Sequence, residues 1–166
     1  MLFSLLACTE NFDEVKGQPY SKEALSLTIP DSWKFVSDRN DKGNRTISIE
    51  TGETSGVTII LFSETDVEYK NLNRTSYVNK NLIDRLIFGL DKADFAKIHK
   101  PINSPFTGEN VRIIYTSPQK MGIEVESYLL TFDKAKIIVM LDTELNDLPN
   151  VENKISGFLK TIEYNS

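Results

Sequence analysis

The sequence predicts an α+β domain, a three-layer α-β-α sandwich built around a mainly antiparallel sheet. Two observations carry that prediction. Apolar residues alternate with polar ones in several short runs joined by tight turns, as in Leu25, Leu27, Ile29 and again in Ile47, Ile49. Two longer stretches instead repeat their apolar residues every three or four positions, the period of a helix with one buried face. Hairpin-linked strands with two one-sided helices pack most economically as a sheet covered on both faces. The chain has 166 residues and no internal repeat, so it is read as one domain, a size at which roughly 70% of the unfolded surface is buried.

Taken in order, "ALSLTIPDSW" is a strand that Pro30 ends by removing a ladder donor. Trp33 follows the turn and is read as a large side chain closing one edge of the core; Phe35 would share its face if the strand resumes. The run from Asp38 to Arg45 reads as a polar loop, with Asn40, Asp41 and Gly43 supplying turn conformations. "RTISIE" and "VTIILF" are strands paired antiparallel through the glycines of "TGETSG". Val78, Leu82, Leu86 and Leu90, widened by Ile83 and Ile87, form the first helical stripe, capped by Thr75 or Ser76.

"FAKIHK" reads as a short strand, and "NVRIIYTS" sets Val111, Ile113 and Tyr115 on one face. "IEVESYLLTF" sets Ile123 and Val125 inward against Glu124 and Glu126 outward. "KIIVML" has no polar break from Ile137 to Leu141, which suits a strand covered on both faces, and "DKA" makes it the hairpin partner of its predecessor. The last helix is marked by Leu148, Val151, Ile155, Phe158, Leu159 and Ile162, with Asp147 placed to cap it and Pro149 in its first turn.

Composition narrows the function. A formal net charge of −5 argues against nucleic acid, whose binding rests on clustered Lys and Arg. A single cysteine forms neither an internal disulfide nor a cysteine-rich zinc site. That cysteine, Cys8, ends the apolar run "MLFSLLAC". Seven residues are too few to span a bilayer, which takes about twenty. Leu5-Leu6-Ala7-Cys8 resembles the lipobox of bacterial lipoproteins, with an aliphatic residue three before the thiol and a small one just before it, although no basic residue precedes it. In that reading residues 1–7 are the remnant of a signal peptide and Cys8 is the lipidated N-terminus. Residues 8–22 are then a polar tether, and 23–166 are the folded domain. Read the other way, the stub is a buried first strand or helix turn and Cys8 a small core hydrophobe.

Catalytic and metal signals are thin. His99 is the sole histidine and lies between lysines, no G-x-S-x-G elbow is present, and Ser104 is merely near it in sequence. "DRNDKGNRTISI" places Asp38, Asn40 and Gly43 as an EF-hand loop would, but Lys42 and Ile49 occupy ligand positions. Two acidic groups, Glu64/Asp66/Glu68 and Asp142/Glu144/Asp147, are expected to serve helix termini and solubility. Neither phosphate-binding glycine motif occurs. The expectation is therefore no catalytic residue, no metal and no cofactor.

The order of elements, from a strand ending in "IPDSW" through two strands, a helix and antiparallel strands to a final helix reading "ISGFLKTIE", resembles the PsbP-like superfamily over about Ala24 to Tyr164. That superfamily includes PsbP, Ran-binding Mog and DcrB-like lipoproteins. The resemblance implies the α-β-α sandwich and a protein-binding or assembly role without catalysis. Combined with Cys8, it gives an expectation of a monomeric, non-enzymatic lipoprotein of the bacterial cell envelope, periplasmic or at the surface, with an unidentified protein partner. The alternative is a soluble intracellular adaptor or chaperone of the same fold that holds a hydrophobic partner segment.

Overall fold

A computed structural model describes residues 15–41, 44–66, 69–72, 96–101, 111–116, 122–144 and 147–165. They form ten strands and one helix: β1 (Gly17–Lys22), β2 (Leu25–Pro30), β3 (Lys34–Asp41), β4 (Asn44–Glu50), β5 (Gly56–Ser63), β6 (Ala96–Pro101), β7 (Val111–Thr116), β8 (Gly122–Thr131), β9 (Ala135–Glu144), α1 (Leu148–Lys160) and β10 (Glu163–Tyr164). The strands divide into a seven-stranded sheet in the order β3-β4-β5-β9-β8-β7-β6 and a three-stranded sheet in the order β1-β2-β10. All the pairings in both sheets are antiparallel. The architecture is thus sheet-rich and antiparallel, with one helix among the described residues. The helical stripe read from Thr75 to Leu90 lies outside them.

The core follows from strand alternation. Ile47 and Ile49 on β4, Val57 and Ile59 on β5, Ile137, Val139 and Leu141 on β9, and Tyr128 and Leu130 on β8 make one apolar face of the large sheet. Against it pack Leu25, Leu27 and Ile29 of β2, Val151, Ile155, Phe158 and Leu159 on the apolar side of α1, and Ile162 just beyond that helix. The small sheet and the helix therefore share this core. Thr161, which ends the helix, ties them together: its Oγ1 accepts the Thr28 N–H at 3.0 Å and donates to the Phe158 carbonyl at 2.8 Å. Trp33 is 6% exposed and sits on Phe158 with ring centroids 5.0 Å apart, a core residue as expected. The opposite face of the large sheet carries Ile60, Phe62, Val125, Ile138 and Met140, also buried, so the run Ile137 to Leu141 is covered on both sides.

Five expectations are corrected. β1 occupies the last six residues of the stretch read as a tether, so residues 17–22 belong to the folded domain. Its sequence, GQPYSK, has no apolar alternation, and its place is set by the backbone ladder to β2. The Asp38–Arg45 loop is a hairpin: β3 runs to Asp41, which pairs with Asn44. Phe35 does not join Trp33 in the core and is 40% exposed. Glu124 and Glu126, read as facing out, are 2% and 1% exposed, because they share the face of β8 with Tyr128 and Leu130, the face packed into the core under β2 and α1. Glu126 accepts a hydrogen bond from the Tyr128 hydroxyl on the same face. Asp147 does occupy the N-cap position of α1, but its carboxylate caps nothing there.

Gly17 pairs with Pro30, and a Cβ on it would stand 2.1 Å from the Ile29 carbonyl oxygen. Gly17→Ala is expected to lower stability in urea denaturation by about 1–3 kcal/mol through overpacking; unchanged stability would mean that β1 does not pair at this position.

Candidate functional site

The described residues concentrate their polar chemistry where the small sheet meets the edge of the large one. β4 alternates inward at Arg45, Ile47 and Ile49, which places a guanidinium in line with two core isoleucines, 6% exposed. Burying a lone cation there would be costly, so it is paired. Asp38, on the neighbouring strand β3, takes it in a two-point grip: Nε donates to Oδ1 at 2.9 Å and Nη2 to Oδ2 at 3.1 Å. The remaining donors reach the small sheet. Nη1 donates to the Lys22 carbonyl at 3.0 Å and lies 3.4 Å from a Glu23 carboxylate oxygen, while Nη2 also donates to the Tyr20 hydroxyl at 2.9 Å.

Asp38 is equally committed. Besides Arg45 it accepts from the Tyr20 hydroxyl at 2.8 Å and from Lys22 Nζ at 2.6 Å. Arg45 first, then Lys22 and Tyr20, hold its carboxyl well below the usual carboxylate range against the opposing effect of burial. Burial and the bond to Asp38 push the Tyr20 phenol up. Every charged or hydroxylic group in this cluster is thus occupied by another member. A guanidinium so engaged offers no fork to a ligand anion, and the phenol offers no free base.

What the cluster does present is apolar. The Phe35 ring stacks on Tyr20, centroids 5.4 Å apart and planes at 23°. The β3 ladder skips one residue between Phe35 and Ser37, a bulge that leaves Val36 without a partner on β4. Phe35 and Val36, 40% and 47% exposed, are the exposed large hydrophobics among the described residues. The sequence missed this site because β3 reads as a polar loop; the signal lay in the spacing of Asp38 and Arg45 around a two-residue turn.

The residues singled out in the sequence do not converge among the described residues. Cys8, Glu68 and Ser104 lie outside the described residues. His99 is on β6, in register with Ile113 of β7. The Asp66 carboxylate accepts the Ser63 N–H and closes the turn after β5. Asp147 instead accepts from the hydroxyls of Thr54 and Ser55, each at 3.4 Å, which ties the β4–β5 loop to the start of α1. Asp142 is on β9, and burial, against a hydrogen bond from its own backbone, pushes its carboxyl up to about 6. Among the described residues no three of His, Cys, Asp and Glu come together as a metal site, and no helix is long and apolar enough to cross a membrane.

Two carboxyls give opposite pH signatures. The depressed Asp38 contributes stability above its unfolded value, about pH 4, and that contribution is lost as pH falls further. The raised Asp142 holds a proton between about pH 4 and about 6 that the unfolded chain lacks, so stability declines as pH rises through that window. Asp38→Asn, which leaves Arg45 buried without its counter-charge, is expected to cost about 3 kcal/mol at neutral pH. Asp142→Asn is expected to add about 2 kcal/mol at pH 7 and little at pH 4. Urea titrations across pH 3–8 check both, and a flat profile for the unsubstituted chain contradicts them.

No protein-family model matches the sequence, and no curated protein sequence matches it. Solved structures do. The solution structure of cyanobacterial PsbP (CyanoP) from Synechocystis sp. PCC 6803 is 11% identical with a TM-score of 0.52, over 96% of this chain and 98% of that one. A protein from Bacteroides thetaiotaomicron is 10% identical with a TM-score of 0.49, over 90% of this chain, which spans about half (49%) of the other. The Ran-binding protein Mog1p of Saccharomyces cerevisiae is 7% identical with a TM-score of 0.44, over 90% of this chain and 96% of that one. At these identities the likeness is one of fold.

Proposed function

We propose, from the PsbP-like fold of this chain and the Leu5-Leu6-Ala7-Cys8 stretch ahead of it, that the protein is a non-enzymatic lipoprotein of the bacterial cell envelope. Its domain acts as an accessory unit that binds or helps assemble a protein partner. The observation that carries the anchor is the placement of Cys8: a thiol after a small residue and a leucine pair, followed by eight residues of mostly polar chain before β1 begins at Gly17. The tether in this proposal is residues 9–14. A thioether-linked diacylglycerol with further acylation would hold such a domain stably at a bilayer, which one acyl chain would not. The site points away from chemistry, since its guanidinium, carboxylate and phenol are consumed by each other. The CyanoP likeness supports the accessory role through the fold and nothing finer.

The same proposal includes the third layer. Ile60, Phe62, Ile138 and Met140 are buried on the face of the sheet away from α1, and the stripe Val78, Leu82, Leu86, Leu90 has the apolar period needed to cover it. Leu86→Asp is then expected to cost more than about 3 kcal/mol in urea denaturation, and Lys80→Asp little; equal effects would remove that layer from the proposal.

Mass spectrometry of the protein extracted from bacterial membranes tests the anchor. The expected species begins at Cys8 and carries the mass of a diacylglyceryl thioether, and Cys8→Ser is expected to move the protein to the soluble fraction. A soluble chain retaining residues 1–7 and a free thiol would contradict the proposal.

A further inference from the structure

We infer that the exposed pair Phe35–Val36 is a second membrane contact, an apolar knob that enters the bilayer interface when the domain is held by Cys8. The inference rests on the lipoprotein reading and concerns a different part of the chain. Phe35 and Val36 lie on the edge strand of the large sheet, with Tyr20 of β1 stacked behind Phe35. Their position relative to the tether decides the occupant. The chain is fixed from Val15 onward: its Cγ2 packs so closely over Gly157 of α1 that a Cβ there would meet it at 2.7 Å, and the Lys16 carbonyl accepts the Asp31 N–H at 3.2 Å. Seven Cα steps then separate Cys8 from Val15, a leash of roughly 25 Å at full extension. Tyr20 lies five strand residues beyond Val15, roughly 17 Å along β1. A domain held on so short a leash brings the Phe35 end of that strand within reach of the same bilayer.

The surroundings fit a lipid interface better than an added strand. The bulge after Phe35 interrupts the ladder where the apolar pair lies and thereby disfavours pairing with a partner strand. Lys34 and Arg39 are exposed on β3 on either side of the pair, Lys34 bonded to Glu50 at 3.0 Å. Long basic stems lie along an interface with their heads in water, and an apolar pair with an aromatic ring stacked behind it suits the boundary between headgroups and acyl chains. The Tyr20–Asp38–Arg45 clamp keeps the pair in place, because Tyr20 cannot turn away without abandoning both partners.

The full chain carrying Phe35→Trp, coupled through Cys8 to a maleimide lipid in phosphatidylcholine vesicles, with and without phosphatidylglycerol, tests the inference. With brominated acyl chains, F35W fluorescence is expected to fall about twofold on coupling, while the unsubstituted protein, reporting only the buried Trp33, changes little. Phe35→Ser with Val36→Ser, read by an environment-sensitive dye on Lys34→Cys in a Cys8→Ser chain held by a His-tag on nickel-chelating lipid, is expected to abolish the bilayer signal seen without those serines. F35W emission indifferent to brominated lipid would overturn the inference. So would a concentration-dependent blue shift without vesicles, which would assign the knob to a second copy or a protein pocket. Coupling is chemical, so these failures stand apart from an unmodified Cys8 in the cell, which would remove the anchor alone.

Discussion

Two sheets share one core here, and a single buried cation fixes how they meet. Arg45 lies in the row of inward-facing residues that continues through Ile47 and Ile49, and every direction its guanidinium points is answered. Asp38 neutralises it from within the large sheet, and Tyr20 and the Lys22 carbonyl receive it from the small one. Apolar packing between Leu25, Leu27, Ile29 and the isoleucines of β4 and β5 supplies the bulk of the stabilisation but tolerates sliding. The hydrogen-bonded pair does not, since a shift of one residue would leave a charge buried and unanswered. Register between the sheets, and with it the placing of Phe35 beside Tyr20, depends on that pair.

Much of this was legible in the sequence, and what was missed has a common cause. β2, β4 and β9 announced themselves because buried faces demand apolar alternation or an unbroken apolar run, and α1 did so through its stripe from Val151 to Ile162. β1 and β3 did not, because neither depends on its own apolar face: one is set by backbone pairing at Gly17 to Lys22, the other is a largely exposed edge. Glu124 and Glu126 were misjudged for a related reason. Reading charge as outward put the glutamates on the wrong face, whereas burial is decided by what packs over each face of the sheet. Only pairing reveals that β8 is interior or that Asp38 stands across the hairpin from Arg45.

The site bears on function through what it withholds. Arg45, Asp38 and Tyr20 would each suit a ligand site if free, yet they are bound to one another and hold an apolar knob at the sheet edge. Asp147 follows the same pattern: placed as a helix cap, it serves instead to pin the β4–β5 loop. In the proposed function these described polar residues serve as internal joints, and the small hydrophobic prominence is the contact surface. That is the sense in which the proposed lipoprotein, the bilayer knob and the clamp form one account.

Hydrogen exchange on Asp38→Asn examines the joint between the sheets most directly. If Arg45 locks them, amides of β1 and β2 lose protection well before those of β5 and β9, whose ladders do not involve the pair. Uniform loss across all four strands, or unchanged protection in β1 and β2, would show that packing alone sets the two sheets together.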